Sequence, residues 1–309
     1  MPLDPQAAAV IKAREAEGAP PLSRQTAAQV RAAAHARPMT QGPAVARKYD
    51  LHVPGPGGAI PIRVYVPFGL PPFPCLVYYH GGGWVTGTLE MSDGVSQSLC
   101  AGAGCAVVSV DYRLAPEHKF PAAAEDAYAA ALWVQQHAGE LGVDARRIAV
   151  GGSSSGGNLA AAVCLMAKDR GGRPSLVHQL LVYPVADFSS RTQSYRENGE
   201  GYMLTRDSME WYAQQYLRTP ADAANPYAAP LQAKDLGGLP QALVVTAEYD
   251  PLRDEGEAYA QKLRDAGVPV VCTRYDGMIH GFFGMFNALD KGKLAIDQAC
   301  RELKKAFAG

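Results

Sequence analysis

Seven short apolar runs, separated by stretches of helical character, limit what this chain can become. They cover 59–66, 75–79, 105–110, 148–150, 179–183, 242–246 and 269–274, and a weaker run precedes them at 46–53. Several are continuous rather than alternating, the pattern of strands buried on both faces. Helical stretches alternate with the later runs at 121–137, 157–168, 253–266 and 293–307, the third closing near Gly267 as a C-cap. This alternation predicts an α/β fold, a mostly parallel eight-stranded sheet with helices on both faces. Hydrophobic residues make up 48% of the 309 residues and charged ones 19%, enough for a sizeable core.

Two segments fall outside that rhythm. Residues 1–45 read as two short helices. Asp4-Pro5 starts the first, residues 18–21 break it, and Ser23 caps the second. The interval 185–230 is long for a crossover. Thr205 can cap a helix there, with Met209, Tyr212, Ala213 and Tyr216 on one face. Both segments are expected to form a helical cap over the C-terminal edge of the sheet, on a single domain spanning 1–309.

A net charge of −1 offers no basic surplus, so nucleic acid and anionic membrane are poor partners. The start Met-Pro-Leu-Asp, soon followed by Lys12, Arg14, Glu15 and Glu17, lacks the basic opening and apolar stretch of a secretory signal. No run approaches the roughly 18 apolar residues of a membrane span. The expected location is cytoplasmic. The six cysteines form no CxxC pair and no zinc-ligand spacing with histidine, so buried free thiols are expected and no metal.

Chemistry enters at Gly152-Ser153-Ser154-Ser155-Gly156. Only Ser154 has glycine at both −2 and +2. A strand run precedes it and Gly157-Asn158-Leu159-Ala160 opens a helix after it, the setting of a nucleophile elbow. The turn is sharp, so side chains at −2 and +2 would collide with neighbouring backbone. His80-Gly81-Gly82-Gly83-Trp84 follows the run 75–79. Its glycines let backbone N–H groups approach a developing oxyanion, each donor being worth roughly 2.7–4 kcal/mol. The other donor in such loops is the N–H after the nucleophile, here that of Ser155.

Asp250 follows the run 242–246, where an orienting carboxylate belongs. Glu248, Asp254 and Glu255 are rivals, although the last two suit the first turn of the next helix. Of seven histidines only His280 follows Asp250, in a loop after the last run. The order Ser, Asp, His is that of the α/β-hydrolase fold. His80 precedes the serine and is expected to be structural.

Taken together, five segments resemble one family: the bacterial esterases related to hormone-sensitive lipase. They are residues 80–84, 111–117, 151–160 and 250–256, and His280-Gly281-Phe282. The resemblance implies the α/β-hydrolase fold and a serine carboxylesterase. It implies Ser154, Asp250 and His280 as a catalytic triad, Gly82, Gly83 and Ser155 as oxyanion donors, and room from Gly81. It implies a cap helix shaping the acyl pocket, here through Met209, Tyr212 and Ala213, and a structural role for 111–117. The expected substrate is a small-molecule ester with a short or medium acyl chain. No cofactor is implied, and similar enzymes occur as monomers or homodimers. The elbow departs from the family pattern: Ser153 replaces an Asp or Thr, removing a negative charge near the imidazole, and Ser155 replaces an Ala. An acyltransferase or amidase would use the same triad. A non-catalytic receptor on this scaffold typically lacks the histidine, which is present here.

Overall fold

The computed structural model describes residues 2–309. Two helices come first, α1 (Pro5–Ala16) and α2 (Ala27–His35), followed by strands β1 (Arg47–Gly55), β2 (Gly58–Val66) and β3 (Phe73–Tyr79). Helix α3 (Leu89–Ala103), β4 (Ala106–Val110), α4 (Ala122–Gln136), the short α5 (Ala138–Leu141) and β5 (Val143–Ser153) continue the chain. Then come α6 (Ser155–Asp169), β6 (His178–Val182), α7 (Gln193–Asn198), α8 (Arg206–Tyr216), β7 (Gln241–Tyr249), α9 (Arg253–Asp265), β8 (Val270–Ile279) and α10 (Asp290–Ala308).

The eight strands form one sheet in the order β1-β2-β4-β3-β5-β6-β7-β8. Strand β2 runs antiparallel to β1 and β4, and all pairs from β4 to β8 are parallel. Alternation along β3 divides the core. Cys75, Val77 and Tyr79 pack on the face covered by α4, α6 and α9, and Leu76 and Tyr78 on the face covered by α3 and α10. Both faces are apolar, which is why the strand runs are continuous. All six cysteines are free thiols, five of them buried. Among the described residues no helix is long and apolar enough to cross a membrane.

Some boundaries differ from the sequence reading. Asp4 does cap α1, accepting from the Gln6 N–H at 3.0 Å. Helix α2 is capped by Thr26 and not by Ser23. Thr26 and Gln29 close a reciprocal capping box, and Ser23 lies in a preceding 3₁₀ turn. Strand β8 runs through Ile279, so His280 directly follows a strand. Helix α3 was not anticipated.

Register brings distant residues to one edge. Tyr79 pairs with Gly152 and Ser153 with Val182, so the ends of β3, β5 and β6 lie side by side. After a register shift Tyr249 pairs with Ile279, which makes Asp250 and His280 neighbours as the next residues of adjacent strands.

Candidate active site

Strand β5 ends at Ser153 and α6 begins at Ser155, leaving Ser154 as the hinge between them. Its backbone is left-handed, with φ 57° and ψ −120°. For a non-glycine residue that costs on the order of 1–3 kcal/mol and persists only where the surroundings enforce it. Here the Ser154 N–H donates to the Val182 oxygen at 2.8 Å, and its carbonyl accepts from the Asn158 N–H at 3.0 Å. Asn158 is fully buried and donates to the carbonyls of Val185 and Ala228 at 2.9 and 2.7 Å. The glycine at +2 is obligatory, because a Cβ on Gly156 would lie 1.9 Å from the Tyr79 oxygen.

Asp250 is wholly buried at the end of β7. One carboxylate oxygen accepts from the Leu252 N–H at 2.9 Å, and the other lies 2.7 Å from His280 Nδ1. His280 Nε2 lies 3.0 Å from Ser154 Oγ. The three rivals of Asp250 are engaged elsewhere. Glu248 accepts from the Gly277 N–H, Asp254 from the Ser194 N–H, and Glu255 from the N–H groups of Ala186 and Asp187. Burial pushes the Glu255 carboxyl well above the usual carboxylate range.

Tyr183 completes the surroundings of the imidazole, and the sequence reading did not single it out. It is a buried non-glycine residue with φ 35°, and its ring centroid lies 4.5 Å from that of His280. The only sequence signal was its position at the end of a strand run, before Pro184.

The loop after β3 closes a tight turn in which the N–H groups of Val85 and Thr86 both donate to the Gly82 oxygen, at 3.1 and 2.9 Å. In that turn the N–H groups of Gly82 and Gly83 have no acceptor among the described residues. Ser155 is the first residue of α6, where a backbone N–H has no intrahelical acceptor. Gly81 faces the elbow closely, since a Cβ there would sit 3.0 Å from the Ser153 oxygen.

His80 is buried and stacks on Tyr112 at 4.3 Å, with Nδ1 2.9 Å from the Gly81 oxygen. Tyr112 donates to the His80 carbonyl at 2.8 Å, and the Ala115 N–H to that of Trp84 at 2.8 Å. Residues 111–117 therefore brace this loop. The Ser153 hydroxyl lies 3.4 Å from that of Tyr78, whose phenol burial pushes up to about 12. The Ser155 side chain is fully buried beside Tyr112 and does not line the cavity.

Above Ser154 and His280 lies a cavity of about 1010 Å³. Leu22, Val30 and Ala34 line it from the N-terminal segment, and Leu204, Met209 and Tyr212 from the segment around α8. Thr205 caps α8, accepting from the Ser208 N–H at 3.1 Å. Arg206 to Glu210 and Tyr212 of α8 border the cavity, with Thr205 at the helix cap. Ala213 does not line it.

A family model described as the alpha/beta hydrolase fold matches residues 76–284. An arylesterase of Saccharolobus solfataricus is 43% identical over 226 residues, 73% of each chain. A carboxylic ester hydrolase of Mycobacterium tuberculosis is 48% identical over 242 residues, covering 77% of this chain and 64% of that longer relative. Among solved structures, a hyperthermophilic esterase from Pyrobaculum calidifontis superposes with a TM-score of 0.93 at 43% identity, covering 100% of both chains. The chain belongs to the alpha/beta hydrolase fold family, among the relatives of hormone-sensitive lipase.

Proposed function

We propose that this protein is a carboxylic ester hydrolase that works through an acyl-enzyme on Ser154. The observation that carries the reading is the unbroken line from Asp250 through His280 to Ser154 Oγ, with links of 2.7 and 3.0 Å. His280 Nε2 takes the hydroxyl proton as Ser154 Oγ attacks the ester carbonyl. The carbonyl oxygen becomes an oxyanion and accepts from the N–H groups of Gly82, Gly83 and Ser155. Collapse of the tetrahedral species expels the alcohol, protonated by the imidazolium. A water deprotonated by His280 then attacks the acyl-enzyme, releasing the acid and restoring Ser154. Asp250 holds the imidazole tautomer and stabilises the imidazolium, and the Leu252 N–H fixes its own orientation.

The N-terminal segment and the segment around α8 act as a cap. Met209 and Tyr212 contact the acyl portion in a cavity of about 1010 Å³, which takes short to medium acyl chains. Supporting this reading are the relatives' names: an arylesterase, a carboxylic ester hydrolase, and an ethyl acetate hydrolase of Pseudomonas putida at 39% identity.

The test is hydrolysis of nitrophenyl esters from acetate to laurate. Activity should peak in the shorter half of that series and be lost in Ser154→Ala. Wild-type turnover by the alanine variant would refute the assignment, and a peak at laurate would refute the size argument.

A further inference from the structure

Gly83 and Trp84 are both left-handed, with φ 60° and 59°. For glycine that conformation is ordinary, but for tryptophan it costs on the order of 1–3 kcal/mol. A loop on its own would relax out of it. What holds it here lies outside the sheet. The Trp84 indole is stacked flat on Tyr216 of α8, with centroids 4.1 Å apart and planes within 3°. Phe120 meets the Tyr216 ring edge-on at 5.8 Å. One helical turn earlier, Tyr212 lies against Gly83 so closely that a Cβ there would come within 2.2 Å of its ring. Two tyrosines spaced i, i+4 on one helix thus press on two consecutive residues of the loop.

The end of α8 is itself tied down. The Tyr216 carbonyl accepts from the Phe120 N–H at 2.8 Å, and Lys119 Nζ donates to the carbonyls of Gln214 and Leu217 at 2.6 and 2.9 Å. From α2, Arg31 reaches the next residue of the loop. It donates to the Val85 carbonyl at 2.8 Å and the Ala115 carbonyl at 2.7 Å, and pairs with Glu117.

We propose that the seat of α8 aims the oxyanion hole, with Tyr216 as a positioning residue whose ring keeps Trp84, and through it the Gly82 and Gly83 N–H groups, in the working conformation. This rests on the reading of those two N–H groups as oxyanion donors. Tyr216 is fully buried and does not line the cavity, so it acts on the loop and not on bound ester. Its hydroxyl has no hydrogen-bond partner among the described residues, so the ring is the functional part.

The experiment compares Tyr216→Phe with Tyr216→Met. Phenylalanine keeps the stack, whereas methionine fills similar volume without a plane. Nitrophenyl acetate kinetics are measured with the affinity for a trifluoromethyl ketone, whose adduct with Ser154 places an oxyanion in the hole. An ether analogue of the ester reports ground-state binding. The Phe variant should match wild type. The Met variant should lose kcat on the order of 10- to 100-fold, less than the about 10²–10³ for deleting a donor outright. Its ketone affinity should fall in parallel, while KM and ether affinity stay within about twofold, the pattern of a contact made only in the transition state.

Trp84→Leu breaks the same stack from the other side and should lower kcat and ketone affinity alike; Trp84 borders the cavity, so the KM and ether readouts rest on the Met variant. Unchanged kcat and ketone affinity in a folded Met variant would overturn the inference. So would parallel losses in ether and ketone affinity, or failure of both stack-breaking variants to fold, since either means that the stack serves the fold alone. Labelling by a fluorophosphonate separates the two levels. No label on wild-type Ser154 removes the proposed function; a labelled wild type with an unaffected Met variant removes only this inference.

Discussion

At the scale of single residues, the elbow is set by how little room surrounds it. Gly156→Ala would push a methyl against the carbonyl of Tyr79, which is backbone and has no rotamer to escape into. The expected cost is about 1–3 kcal/mol, as for overpacking elsewhere. Displacing Ser154 should lower kcat on the order of 10²-fold. Thermal melting and ester kinetics check both; wild-type melting and turnover in this variant would mean that the turn has room for a methyl group.

Ser154, Asp250 and His280 were legible in the sequence because each carries a local sign: glycines two residues either side, a strand end, a fixed chain order. Tyr183 and Arg31 carry none. Arg31 is one of many arginines until the chain folds and places the carbonyls of Val85 and Ala115 within its reach. Periodicity puts Ala213 on a face with Met209 and Tyr212, but it does not fix which of the three borders the cavity.

At the scale of elements, strands buried on both sides announce themselves, and α3 does not. Its buried positions include Ser92, Gly94, Ser96 and Ser98 beside Val95, Leu99, Cys100 and Ala103, so small polar residues dilute its apolar stripe. Ser92 satisfies its hydroxyl against the Leu89 carbonyl and Ser109, both at 3.0 Å. Asp276 and Gly277 interrupt the apolar pattern at the tail of β8, so composition alone suggests a loop there. Hydrogen bonding to β7, not composition, makes it a strand.

Strand β6 opens with His178, which is buried with neither ring nitrogen paired among the described residues. Burial lowers its pKa from the ordinary 6.5 to about 4. Below pH 6.5 the unfolded chain takes up a proton that the native state refuses until about pH 4, so stability falls as pH drops through that window. The loss amounts to roughly 3 kcal/mol, at about 1.36 kcal/mol per pKa unit. Urea unfolding of His178→Leu at pH 7.5 and pH 4.5 should show a smaller decline than wild type. Equal declines would assign the acid sensitivity to other groups.

At the scale of the whole molecule, the proposed catalytic groups are unequally anchored. Ser154 follows β5, which has strands on both sides, whereas His280 follows β8, the outer strand at its end of the sheet. An edge strand bonded on one side opens at lower free energy than the centre. In mild urea, ester hydrolysis should therefore fade before far-ultraviolet circular dichroism records any loss of secondary structure. Coincident transitions would mean that β8 leaves only when everything does.

The grip of Arg31, Tyr212 and Tyr216 on residues 83–85 also bears on how such a protein can be re-engineered. If the proposed cap and its hold on the loop are right, the two are a single mechanical part. A transplanted lid lacking the arginine and both aromatic rings would arrive with a fresh pocket and slack machinery beneath it.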